Sequence, residues 1–404
     1  MVMRDMGIRV ISLWAVLLVF ACLPIDAYAS EDDDDTAHGD SGRVAHQLSF
    51  DFKPGAILHT NEFLRGSNPE ARTMNHDMGF HVKYAFSLPS GSREARVYRD
   101  AYQGIGIAYN EYNWQLGNPV SVYLLQGARI ASLCERVALN YEWNFGLAMG
   151  WHPYDAIDNP DNKVIGSRVT AYMGLDLYLR WVLSRHVDVN FGLGVAHYSN
   201  GNTQFPNLGL NTASLRIGTS YYIHRDTPRL LHRHESLPQV EHHLTYDLIL
   251  YGAWRQRGSY TDGIAYALPG KSAVFGFNFN PMYSLNHWLK VGASLDGVYD
   301  RSANLIVSDI YDVDDMEYAR PAAARQMALG LSARTEFVMP YFSINFGVGT
   351  NVINAQGDFS GVYELLALKM NVTRRAILHI GYSLNNFHTP KHLMLGVGWR
   401  FGHI

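Results

Sequence analysis

Cysteine is nearly absent: the 404 residues hold two, Cys22 and Cys134. If Cys22 leaves with an N-terminal leader, Cys134 stands alone and no intramolecular disulfide can form, so stability must come from the fold itself. Charge is also scarce, at 17% of residues, against roughly 25% in an average soluble domain. The formal net charge of −4 offers no basic field to hold nucleic acid. Beyond the leader no run of 18 or more apolar residues occurs, which excludes a membrane-spanning helix on length but not a spanning strand, which needs only about 9 to 11 residues. P-loop and dinucleotide fingerprints are missing too. What the chain has instead is 25 Tyr, 36 Gly and 13% aromatics, a composition suited to many strands, tight turns and aromatic girdles.

Residues 1–29 have the order of a secretory signal: Arg4 and Arg9, the apolar stretch VISLWAVLLVFAC, then AYAS with cleavage expected after Ala29. Cys22 after VFA offers a lipid-attachment reading, which Phe20 fits less well. Residues 30–43, SEDDDDTAHGDSGR, form an acidic leader with almost nothing to bury, expected to be disordered.

From Val44 onward, period-2 segments recur between clusters of Gly, Asn, Asp, Pro and Ser, which is the strand-and-turn signal. About sixteen can be counted, and merging neighbours gives fourteen. The expected fold is all-β, an antiparallel transmembrane barrel of about 14 to 16 strands, closed as one. It divides into a first half at 44–223, a polar linker at 224–240 and a C-terminal half at 241–404. In the last segment Leu393, Leu395, Val397, Trp399 and Phe401 alternate with polar or small residues. So apolar a terminal strand must be paired, and closure onto the first strand is expected. The segment resembles the C-terminal assembly signal of outer-membrane barrels, with "GHI" as three extra residues.

One segment carries candidate chemistry. In VDVNFGLGVAHYS the odd positions are Val187, Val189, Phe191, Leu193, Val195, His197 and Ser199, and the even ones are polar, small or tyrosine. Strand side chains alternate, so the apolar stripe meets lipid and takes His197 and Ser199 with it. Residues i and i+2 lie about 6.5 to 7 Å apart along a strand, close enough for an imidazole to lean toward a hydroxyl. Counted from a periplasmic N-terminus this is the seventh strand and runs outward, which puts the pair near the outer leaflet. On the eighth, Asn211 shares the outward parity of Ala213, Leu215 and Ile217. Its amide oxygen is placed to accept the second imidazole N–H and fix the ring. The sequence AHYSNGNTQFPNLG also allows a plainer reading, a polar strand end at the membrane interface followed by turn formers.

That stretch, with H-x-S-N followed by a P-N-x-G turn, resembles the signature of the outer-membrane lipid A 3-O-deacylase family (acyloxyacyl hydrolase-like). The resemblance covers about 20 residues, and the C-terminal half goes beyond the short barrels of the family. It implies an outer-membrane serine esterase acting on an acyl ester of lipid A or lipopolysaccharide, with Ser199 as nucleophile and His197 as base. Asn200, Gly201 and Asn207 would then stabilise the oxyanion or position substrate, without metal or organic cofactor. The acidic third member of the family's triad falls at Asn211, where a neutral amide fixes the tautomer but supplies no charge. Glu111, Glu135 and Glu142 lie elsewhere in the first half and could substitute only through fold geometry.

Other clusters read as solvated surface. His224, His232, His234, His242 and His243 with Glu235 and Glu241 match no closed metal site. Asp309, Asp312, Asp314, Asp315 and Glu317 lack the spacing of an EF-hand. Two functional alternatives follow: a non-catalytic porin-like or scaffold barrel, and an outer-membrane phospholipase.

Overall fold

The computed structural model describes residues 43–402 apart from 90–91, 99, 226–238, 241, 262–263, 308–317 and 388. The signal, nearly all of the acidic leader, most of the linker with His232, His234, Glu235 and Glu241, and the loop from Asp309 to Glu317 lie outside the described residues.

Each alternating segment forms a long antiparallel strand. The first eight are β1 (Ala45–Ile57), β2 (His76–Ser87), β3 (Tyr102–Glu111), β4 (Gly117–Ser132), β5 (Val137–Trp151), β6 (Val169–Val182), β7 (Val187–Ser199) and β8 (Leu210–Ile223). Then come β9 (Leu244–Arg255), the short pair β10 (Gly258–Thr261) and β11 (Ile264–Ala267), β12 (Ser272–Ser284) and β13 (Leu289–Asp300). A second short pair, β14 (Ile306–Val307) and β15 (Tyr318–Ala319), precedes β16 (Met327–Val338), β17 (Phe342–Ile353), β18 (Val362–Asn371), β19 (Ala376–Asn385) and β20 (Thr389–Gly402).

The strands close as two barrels, correcting the expectation of one. β8 returns to β1, pairing Phe50 with Thr219, and β20 returns to β9, pairing Val397 with Leu250, instead of to the first strand. The reason lies in the lumens. An eight-stranded barrel is just wide enough for its interior to be filled by side chains, and each half carries its own complementary charges. In the first, Arg216 is wholly buried beside Asp51 at 3.1 Å, Glu142 at 3.2 Å and Asp176 at 3.6 Å. Lys83 bonds Glu142 at 2.8 Å and Lys53 bonds Asp176 at 2.7 Å. In the same interior Tyr172 stacks on Tyr198, while Tyr123 meets Tyr172 and Trp151 meets Tyr198 edge-on. In the second, Lys369 bridges Glu336 at 2.6 Å and Asp247 at 3.1 Å, and Arg334 meets Asp296 at 2.6 Å. Lumens packed this way lend no support to the porin-like alternative.

Outward positions form an apolar belt, including Val82, Leu177 and Leu193 on the first barrel and Leu250, Leu331 and Val397 on the second. A belt of this extent needs hydrocarbon around it. Short turns at 133–136, 183–186, 285–288, 339–341 and 372–375 gather at one end, and most of the longer connections at the other. Since outer-membrane barrels keep their short turns in the periplasm, the connection after β7 lies outside. The barrels touch through outward side chains, with Trp143 of β5 edge-on to Phe342 of β17, ring centroids 5.3 Å apart, and Met339 and Leu368 buried around them.

Candidate active site

Down β7 the outward face is open: Leu193 is 64% and Val195 54% exposed. At its outer end the face stays the same but becomes covered. His197 is half-buried and Ser199 only 8% exposed. The expected outward facing is present, whereas the expected direct opening of Ser199 to lipid is not, because the chain folds back over it.

His197 has Asn211 as its direct neighbour on β8. Such cross-strand positions bring side chains within contact, and here His197 Nδ1 lies 2.7 Å from Asn211 Oδ1. An amide oxygen only accepts, so Nδ1 carries the proton and Nε2 keeps its lone pair. Gly209, at φ +76°, lies over the ring, where a Cβ would meet Cε1 at 2.8 Å and Nε2 at 3.5 Å. Sequence reasoning used Gly209 only as part of a turn motif; its role as the open lid of the imidazole depends on packing.

Two donors converge on Ser199 Oγ: the Gly201 amide at 3.1 Å and Asn207 Nδ2 at 2.8 Å. Asn207 Oδ1 in turn accepts from the Asn200 amide at 2.9 Å, while Asn200 Nδ2 turns to the Gln204 carbonyl at 2.9 Å. Gly201 at φ +64° and Asn202 at φ +61° form the centre of a tight turn closed by Thr203 N–H to Asn200 O at 3.3 Å, a left-handed pair that Gly and Asn tolerate best. The 206–209 segment is held from below by the first barrel's own outer connection: Leu208 and Gly209 donate to the Lys163 and Val164 carbonyls at 3.1 and 3.0 Å. Among the described residues no hydrogen bond joins His197 to Ser199.

All six anticipated residues, His197, Ser199, Asn200, Gly201, Asn207 and Asn211, thus lie in one place. Glu111, Glu135 and Glu142 do not join them. Glu142 is committed to Lys83, Arg216 and Tyr102 in the lumen, Glu135 lies in the turn at the opposite end, and Glu111 ends β3, which is not a neighbour of β7. No group of three or more His, Cys, Asp or Glu placed to hold a metal occurs among the described residues. Sequence reasoning missed Asn202 and the second-barrel residues around it, for which no local signal exists.

Residues 75–220 match the family model described as lipid A 3-O-deacylase (PagL), and residues 244–403 match the model described as the acyloxyacyl hydrolase C-terminal domain. No curated protein matches the sequence. Among solved structures, the outer membrane enzyme PagL is similar at 14% identity and a TM-score of 0.28, over 44% of this chain and 98% of that one. Neisserial surface protein A is similar at 10% identity and a TM-score of 0.25, over 44% and 96%. The siderophore receptor PirA from Pseudomonas aeruginosa is similar at 8% identity and a TM-score of 0.23, over 89% and 81%. The family assignment rests on the two sequence-model matches, which together span well over half of the chain, and not on these likenesses. The chain belongs to the lipid A 3-O-deacylase family, outer-membrane barrels that hydrolyse an acyl ester of lipid A.

Proposed function

We propose that this deacylation proceeds through an acyl-enzyme on Ser199. His197 Nε2 takes the Ser199 proton as Oγ attacks the ester carbonyl, and the resulting imidazolium returns it to the departing hydroxyl of lipid A. Water, activated by the same nitrogen, then releases the fatty acid. Asn211 holds the ring and its tautomer. The observation that carries this reading is the pairing of His197 Nδ1 with Asn211 Oδ1 at 2.7 Å beside a serine that already receives two N–H donors.

Those donors have a mechanistic consequence. A hydroxyl has two acceptor lone pairs and one proton, and at rest both lone pairs of Ser199 are engaged. Attack requires one of them. A donor from Gly201 or Asn207 must therefore transfer to the carbonyl oxygen as negative charge builds there, which places its stabilisation in the transition state. The amide of Asn211 stabilises the imidazolium less than a carboxylate would, and a lower turnover follows from it.

Mass spectrometry of lipid A after incubation with refolded protein tests the proposal. Wild type should remove one acyl chain, and Ser199→Ala and His197→Ala should leave lipid A intact. Deacylation by folded Ser199→Ala at the wild-type rate would sink the serine mechanism. Added phospholipid in the same reaction separates the phospholipase alternative.

A further inference from the structure

The active-site turn belongs to the first barrel, but four of its hydrogen bonds leave that barrel. Asn202 Nδ2 donates to the Pro390 carbonyl at 2.9 Å and the Lys391 carbonyl at 3.3 Å, both at the start of β20. The Asn202 carbonyl accepts from the Gln256 amide, just past β9, at 2.9 Å. Gln256 Oε1 accepts from the Phe205 amide at 3.2 Å. The Phe205 ring lies 5.0 Å from that of Tyr260 and fills the space where a Cβ on Gly258 would be. Leu393 sits so close to Gly201 that a Cβ there would fall 2.4 Å from its Cγ.

These contacts end on the catalytic hydroxyl. Asn202 Oδ1 accepts from Asn207 Nδ2 at 3.3 Å, the same nitrogen that donates to Ser199 Oγ at 2.8 Å. The Gly201 amide, the other donor to Oγ, precedes Asn202 in the same turn. We infer that the second barrel is a positioning device for the esterase site: through Asn202 it fixes the two donors that must move onto the oxyanion. An active-site loop left to itself samples many conformations, and a misplacement of about 1 Å is enough to lose some 10²-fold in rate. In this chain the strand ends β9 and β20, held rigid by barrel closure, supply that restraint. Asn202 bonds Asn207, Gln256, Pro390 and Lys391 and acts through Asn207 and Gly201, which makes it a positioning residue.

The inference rests on Ser199 being the nucleophile, so its test reads that chemistry directly. The full chain in detergent is treated with a long-chain alkyl phosphonate p-nitrophenyl ester, whose phosphorus Ser199 Oγ attacks with expulsion of p-nitrophenolate. Peptide mass spectrometry locates the label. Asn202→Gly keeps the left-handed backbone and removes only the side chain. It should lower both the labelling rate and kcat about ten- to a hundredfold, leaving KM for lipid A and the heat-modifiability of the barrels on gels unchanged. Gln256→Ala, made wholly in the second barrel's connection, should lower the same two rates by a smaller factor, and it decides the matter if Asn202→Gly fails to fold. Wild-type labelling rates and kcat in folded Asn202→Gly, or in Gln256→Ala where that variant alone folds, would overturn the inference. If wild type deacylates lipid A yet Ser199 takes no label, the nucleophile assignment itself falls and the positioning argument with it.

Discussion

The two barrels of this chain have the same number of strands, the same antiparallel closure and lumens filled by ion pairs, yet the His197 and Ser199 pair lies on the outward face of the first, and the His and Ser of the matching strand in the second lie in its lumen. The contrast is sharpest on their seventh strands. In HYSNGN of β7, Tyr198 enters the lumen and His197 and Ser199 point outward. In GYSLNN of β19 the register is displaced by one residue. Ser383 is 6% exposed in the second lumen, and His379, also inward, sits 3.1 Å from the Met394 carbonyl. A shift of one residue reverses every side chain on a strand, so similar words in the sequence yield a lipid-side site in one barrel and lumen packing in the other. The second barrel takes part by holding the first one's loop.

Single-site variants should separate the two barrels. Ser199→Ala should reduce deacylation at least about 10³-fold, as loss of a nucleophile acting in concert with its base does, while Ser383→Ala should leave it unchanged; equal losses would mean that the parity argument is wrong. The lumens should differ next. Arg216→Met removes the buried cation shared by Asp51, Glu142 and Asp176 and leaves those three carboxylates only Lys83 and Lys53, a change expected to cost about 3–5 kcal/mol. Lys369→Met leaves Arg400 on Asp247 at 2.7 Å and near Glu336 at 3.9 Å. Urea unfolding from vesicles should show the larger loss for Arg216, which meets three carboxylates where Lys369 meets two.

Smaller effects are expected around the imidazole. Gly209→Ala forces a side chain into φ +76° and against His197 Cε1; strain of about 1–3 kcal/mol should appear as a ten- to hundredfold lower kcat with little change in KM. Asn211→Asp runs the other way. A charged partner improves on a neutral hydrogen bond by about 1–1.5 kcal/mol, so turnover should rise roughly tenfold. A fall would mean that Asn211 is tuned for something other than orienting His197.

Much of the first barrel's site was legible in the sequence because it is local. Period-2 alternation sets which face His197 and Ser199 share, and the length of the connection from β7 to β8 puts Asn211 opposite His197. Gly201 and Asn207 lie in the same turn. Closure was not legible: alternation says which side of a strand faces inward, not which strand it pairs with at the seam, and two eight-stranded barrels have the same pattern as one of sixteen. Nor was the covering of Ser199, or the clamp on Asn202, since Gln256 and Pro390 meet it only through the docking of one barrel on the other.

The smallest predicted effect concerns that clamp. Arg257, next to Gln256, pairs with Asp358 in the second barrel's outer connection, where Asp358 also accepts the Asn304 amide at 2.8 Å. Burial pushes the Asp358 carboxyl up, but the Arg257 charge and the Asn304 N–H outweigh it and hold it below the usual carboxylate range. A carboxyl whose folded pKa is depressed stabilises the fold at pH above its unfolded value of about 3.9, and that contribution is lost as pH falls through the lower folded value. Amide exchange at 254–258 and 354–361 should therefore be slow and constant from pH 7 to about 5, once corrected for intrinsic rates, and accelerate below about pH 4. Asp358→Asn should show the faster exchange already at neutral pH. Because Gln256 holds Asn202 from this connection, loosening there should also lower the serine labelling rate slightly, whereas an acid-induced loosening confined to the first barrel's own connection at 152–168 would show that the clamp is not governed from the second barrel.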